Sequence, residues 1–284
     1  MNSKKKSFWK LILTLSIVGL IVIFAAVGLY FYQDYKARQE YERLQRELAA
    51  QELTMEELEN MEFTGESDGE EAKLPDDIFL DMENPIDFEK LLEINDDIYA
   101  WIRIPDTNID YPIVQRAGDD AYYLRRDIYK KPKVAGSIFT EDCNSKDFDD
   151  PNTVIYGHNM RNKSMFQNLH LYEDPDFFKE NPYVYIYTPG RVRAYKIFAA
   201  YAYDDRHLMH AFAFDDEEVF ARYLEEIKDV RSMSKNVRED VEVTSDDRII
   251  TLETCIKGQT KARYLVQAVL IKNEETDKME KVTE

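Results

Sequence analysis

The stretch RIITLETCIKGQTKARYLVQAVLI, Arg248 to Ile271, decides how this chain folds. It holds two apolar alternating runs, RIITLETC and RYLVQAVLI, separated by a short polar segment, IKGQTKA. Branched and aromatic residues on a two-residue period describe strands, and the segment between them is long enough for a loop that returns the chain. In the first run Ile250 and Leu252 share one face, while Thr251, Glu253 and Cys255 share the other. With the Ile250 face in a core, the cysteine projects from the strand end. Arg263 opens the next strand, so pairing the two runs brings thiol and guanidinium together.

Working outward, six further runs read as short strands: YAWIRI, DYPIVQ, GSIFT, TVIYGHN, YVYIYTP and RAYKIFAAYAY. Helical patterns lie around DDAYYLRRDI, SMFQNLHLYEDPDFF and DDEEVFARYLEEIKDV. Eight strands with few intervening helices predict a mainly β fold, a mixed or antiparallel barrel with helical decorations, rather than alternating βαβ units. Ahead of the first strand, NPIDFEKLLEIN offers Asn84 as an N-cap and Pro85 at the first helical position of a short helix.

Nearer the N-terminus the character changes. Residues 1–10 form a basic tail with four lysines, and residues 11–32, LILTLSIVGLIVIFAAVGLYFY, carry no charge. At 1.5 Å rise per residue such a run crosses a hydrocarbon core of about 30 Å, and it exceeds the apolar length of an ordinary cleaved signal peptide. A single transmembrane helix is expected. The lysine cluster favours a cytoplasmic N-terminus, and Lys36, Arg38, Arg43 and Arg46 beyond the run blunt that asymmetry. Residues 33–63 read as a helical stalk, solvated or dimerising, and residues 64–73 as an acidic linker. The folded domain is expected over residues 74–273, with a charged tail at 274–284. The chain's net charge of −19 repels phosphate backbones, which argues against nucleic acid as a partner.

The chain has two cysteines, Cys143 and Cys255, and two readings of them stand side by side. One is a Cys143–Cys255 disulfide in a noncatalytic ectodomain. The other is a nucleophile at Cys255, which needs a thiolate and therefore a base or cation nearby. Arg263 is always protonated, so it fits hydrogen bonding to a substrate carbonyl or an oxyanion, not proton abstraction. Of the four histidines, His158 follows TVIYG on the parity of Val154 and Tyr156, at a strand end; His170 falls in a helical pattern, and His207 and His210 in a polar loop. Periodicity alone leaves His158 open between a base and a solvated side chain. Neither C-x-x-C nor H-E-x-x-H occurs, and no Gly-rich phosphate cradle is present. The acidic loop TEDCNSKDFDDPN lacks the spacing of a calcium loop, and its carboxylates should raise the Cys143 pKa.

TLETC with an arginine opening the following strand, preceded by NTVIYGHNMRNKSMF, resembles the sortase family, specifically class B. DDIYAWIRIPDTNIDYPIVQ, YYLRRDIYKKPKVAGSIF and PYVYIYTP extend the resemblance over roughly Pro85 to Ile271. It implies an eight-stranded sortase-like β-barrel with an N-terminal helix and an extra helix before the cysteine strand. It implies a cysteine transpeptidase, without metal or other cofactor, on the outer face of a Gram-positive membrane, its N-terminus cytoplasmic. Carried over by motif, Cys255 is the nucleophile, His158 the general acid/base and Arg263 the stabilising arginine. The substrates implied are secreted proteins bearing a sorting signal, and the acceptors a peptidoglycan-precursor amine or a pilin lysine. Glu253 stands where class B members often have serine, and IKG where an acidic residue often follows the cysteine.

Overall fold

The computed structural model describes residues 84–230 and 235–276, together with isolated positions between 16 and 39. The chain divides into two units, Met1–Glu66 and Ser67–Glu284. In the first, the described positions, Ser16 to Gln39, are helical. Among the described residues no helix is long and apolar enough to cross a membrane. Most of the expected span over 11–32 and of the stalk over 33–63, and the whole linker over 64–73, lie outside the described residues.

The second unit begins with helix α1 (Phe88–Ile94), capped by the Asp87 side chain accepting from the Lys90 amide. The cap is therefore Asp87, not the expected Asn84, whose side chain instead accepts from the Ile86 amide and donates to the Thr188 carbonyl. Next come strands β1 (Ile98–Arg103), β2 (Asp110–Val114), β3 (Ile138–Thr140) and β4 (Asn152–Tyr156). Helix α2 (Pro175–Glu180) precedes β5 (Tyr183–Thr188) and β6 (Arg191–Asp204). Helices α3 (Leu208–Ala211) and α4 (Glu217–Asp229) and the two-residue strand β7 (Asn236–Val237) lead to β8 (Ile249–Ile256) and β9 (Gln259–Glu275).

Strand order is β5-β1-β2-β3-β4-β8-β9-β6, and a β5–β6 pairing closes the eight into a barrel. All eight runs read from the sequence are barrel strands; β7, hung on β6, was not expected. Closure leaves no sheet edge within the ring itself. The patterns DDAYYLRRDI and SMFQNLHLYE form 3-10 helices, Tyr122–Arg125 and Phe166–Glu173, instead of α-helices. The shorter one is pinned by Tyr123, whose hydroxyl donates to Asp97 at 2.6 Å. β9 runs to Glu275, two residues beyond the expected end of the domain.

α4 is the extra helix before the cysteine strand. Asp216 caps it by accepting from the Glu218 and Val219 amides, and Phe220, Tyr223, Leu224 and Ile227 recur at helical spacing as its buried face. That face packs with Val154, Ile249, Leu265 and Val269 on the outside of the barrel. β8 is consequently covered on both sides, and Thr251, on the face it shares with Glu253 and Cys255, is fully buried. Its hydroxyl lies 2.9 Å from Gln267 Nε2, which also donates to Tyr223 at 2.7 Å, while Gln267 Oε1 accepts from Tyr201 at 2.9 Å. Each polar atom of that buried amide thus has a partner, which keeps its burial from being costly.

Candidate active site

The strand register assembles the site. β4 and β8 run parallel, with Tyr156 opposite Glu253. Two residues beyond this last pair the chain reaches His158 on one strand and Cys255 on the other. The Gly157 amide donates to the Glu253 carbonyl at 3.1 Å and the Thr254 hydroxyl to the Gly157 carbonyl at 2.8 Å, so the alignment persists past β4. β8 and β9 are antiparallel, with Cys255 opposite Arg263. All three side chains line one cleft of about 280 Å³, together with Leu124, Phe139, Glu141, Tyr156 and Glu253.

Gly157 is required by a close approach. A Cβ there would lie 2.5 Å from Phe166 Cγ and 2.6 Å from Ile138 Cδ1, so only glycine lets the chain turn here and deliver His158 to the cleft. The His158 ring is half-buried, with Nε2 2.8 Å from the Leu124 carbonyl oxygen. A carbonyl can only accept, so Nε2 carries the proton in this contact. The β8–β9 connection is tighter than the expected loop: Ile256 pairs with Gln259 across a two-residue tip, with Gly258 at φ +79°. A bulge between Cys255 and Ile256 absorbs Thr260 to Ala262 and brings Arg263 level with the cysteine.

Cys255 and Cys143 are both free and exposed, so the Cys143–Cys255 disulfide is not formed. At Cys143, desolvation and then the Glu141 and Asp120 charges push the thiol up to about 11, which suppresses its thiolate at neutral pH. Of the loop carboxylates, Asp150 accepts from Asn144 and Ser145 and Asp147 from Ser145 and the Asp149 amide, while Asp142 accepts from the Gly118 amide outside the loop.

Several groups at the site carry no sequence pattern of their own. The Cys255 carbonyl accepts from Asn159 Nδ2 at 2.8 Å and lies 3.1 Å from His170 Nε2, while His170 Nδ1 is 2.6 Å from Glu173. The His170 ring stacks on Tyr264 of β9. Asn159 adjoins His158 in the sequence, which is a weak signal; His170, 85 residues from Cys255, gave none. His207 lies in the loop between β6 and α3, as expected, at the N-cap position of α3, with Nε2 2.8 Å from the cleft residue Glu141, whereas His210 falls within α3.

Glu253 Oε1 is 3.2 Å from Arg263 Nε, with 12% of the glutamate side chain exposed. Burial raises the Glu253 pKa, Arg263 and then His207 oppose it, Glu141 adds to it, and the carboxyl is pushed up to about 7 from 4.5. The folded chain thus binds this proton more tightly than the unfolded one. The stabilisation this gives is fully present below pH 4.5 and lost as pH rises through about 7. A shift of this size corresponds to about 3 kcal/mol. Glu253→Gln, which fixes the neutral state, is expected to melt roughly 5–10 °C above the parent at pH 8. The difference should shrink towards zero below pH 4.5. A parent that melts at or above the variant at pH 8 would contradict the assignment.

A sortase-domain family model matches residues 102–271. The chain belongs to the sortase family, in class B. Over 184 residues it is 38% identical to sortase B of Listeria monocytogenes, covering 64% of this chain and 72% of that one. Sortase B of Clostridium perfringens superposes with a TM-score of 0.59 at 35% identity, covering 66% of this chain and all of that one. A Staphylococcus aureus sortase B–substrate complex superposes with a TM-score of 0.62 at 26% identity, covering 84% of this chain and 98% of that one. Sortases are cysteine transpeptidases, and that is the enzyme class of this chain. The eight-stranded barrel with helical decorations is the sortase fold.

Proposed function

We propose that this sortase cleaves a sorting signal in secreted proteins at Cys255, with His158 as general acid/base and Arg263 as the group that stabilises the oxyanion. The observation that carries the reading is the paired register of β4, β8 and β9, which gathers these three side chains, and no second cysteine, round one cleft. The Cys255 thiolate attacks the scissile carbonyl carbon, and the carbonyl electron pair moves to oxygen beside Arg263. As the tetrahedral centre collapses, the C–N bond breaks and the His158 imidazolium gives its proton to the departing amine. A thioester remains. An acceptor amine then attacks the thioester carbonyl and passes a proton to His158. The C–S bond breaks, and amide product and thiolate are released.

The acceptor in this reading is an amine of a peptidoglycan precursor or a pilin lysine. The apolar segment over 11–32 anchors the chain in the membrane, its N-terminus cytoplasmic and residues 74–273 outside as the catalytic domain. Tethering there raises the effective concentration of substrates emerging at the same surface. The test is to incubate the full chain with a library of sorting-signal peptides and read the acyl-enzyme by mass. The expected result is one acyl group on Cys255, discharged as a hydroxamate when hydroxylamine is added. Hydrolysis at a rate and with a product indifferent to every amine would replace transfer by simple peptidase action.

A further inference from the structure

Glu253 sits two residues before Cys255 on β8, and both line the cleft with Arg263. Its carboxylate oxygen contacts Arg263 Nε at 3.2 Å. On its other side the guanidinium is held by backbone, Nη1 donating to the Thr260 and Ala262 carbonyls at 3.3 and 3.1 Å. Nη2 has no hydrogen-bond partner among the described residues. Of the other cleft carboxylates, Glu141 is taken by His207 at 2.8 Å and approached by the Tyr156 hydroxyl at 3.4 Å, and Asp120 accepts from the Asp142 amide at 2.7 Å. Glu253 is thus the one acidic side chain paired with Arg263 among the described residues.

A mostly buried carboxylate opposes folding at neutral pH, and an uncharged residue would serve stability better. Groups kept at such a cost concentrate at working sites. An arginine has four side-chain torsions, and a carboxylate at Nε with carbonyls at Nη1 fixes the plane of its guanidinium. We propose that Glu253 is the positioning residue for Arg263, holding Nε so that Nη2 is presented to the oxygen of the scissile carbonyl. This rests on the role given to Arg263 above.

The sign of one substitution separates positioning from charge. By Coulomb interaction alone, removing a negative charge beside a thiolate and an oxyanion speeds the reaction. Positioning requires the opposite. With the peptide identified by acyl-enzyme trapping, Glu253→Gln in the full chain should lower kcat on the order of tenfold with KM within about twofold. Arg263→Ala should lower kcat by about a hundredfold or more, as for removal of an oxyanion donor. The double variant should match Arg263→Ala, since the two act through one group. The melting comparison described above verifies that Glu253→Gln is folded. A Glu253→Gln enzyme as fast as the parent or faster overturns the proposal, as does a tenfold loss that persists without Arg263. Either failure leaves the Arg263→Ala loss intact, whereas a fully active Arg263→Ala enzyme removes the role of Arg263 as well.

Discussion

Replacing Cys255 with alanine is expected to leave a folded chain that forms no acyl-enzyme and turns over no sorting peptide. The expectation of intact folding comes from position. Cys255 is exposed at the end of β8, and the contacts that hold this strand end are made by its carbonyl oxygen, which alanine retains. Melting temperature should therefore match the parent within about 1 °C. Loss of turnover should be complete, because the covalent route disappears with Sγ and no other thiol lines the cleft. Cys143→Ala is the control: its thiol is held up to about 11 and lies off the cleft, so activity should persist. Residual acylation in Cys255→Ala would point to another nucleophile.

The second large effect is at His158. His158→Ala should lower kcat by about 10²–10⁴ while peptide binding is retained, since proton transfer is lost and the cleft walls are not. The Leu124 carbonyl fixes the ring through Nε2 at 2.8 Å, so a side chain of similar size but without a titrating nitrogen, His158→Gln, should fare no better. Free imidazole at high concentration should restore part of the rate to His158→Ala, in the space the side chain vacates. Equal rates for parent and variant at every pH would remove His158 from the mechanism.

Much of this was legible in the sequence, for identifiable reasons. Strands reveal themselves by local alternation, and RIITLETC and RYLVQAVLI lie close enough to pair as a hairpin, so the Cys255–Arg263 juxtaposition follows from a short connection. His158 could be placed at a strand end but not beside Cys255 by periodicity alone, because the β4–β8 pairing spans 97 residues and leaves no local trace. The motif resemblance supplied that link. Thr251 lies on the face its alternation gives it, but its burial was not legible because nothing within β8 reports that α4 covers that face. The contacts of Asn159, His170 and Glu253 at the site were not legible for a related reason. Each contacts a partner distant in sequence or, as with Arg263, across a hairpin whose bulge no residue pattern announces.

The parallel β4–β8 pairing carries one more consequence. Between β4 and β8 the chain leaves the rim, supplies the barrel strands β5 and β6 and returns, and the lengths of the loops and helices among those strands do not enter the distance between imidazole and sulfur. Segments such as α4 are thereby free to be enlarged, exchanged or grafted between relatives as cassettes, provided their apolar footprint on the barrel is kept. A one-residue insertion inside either strand has the opposite standing, since it would rotate the histidine or the cysteine to the wrong side of the wall.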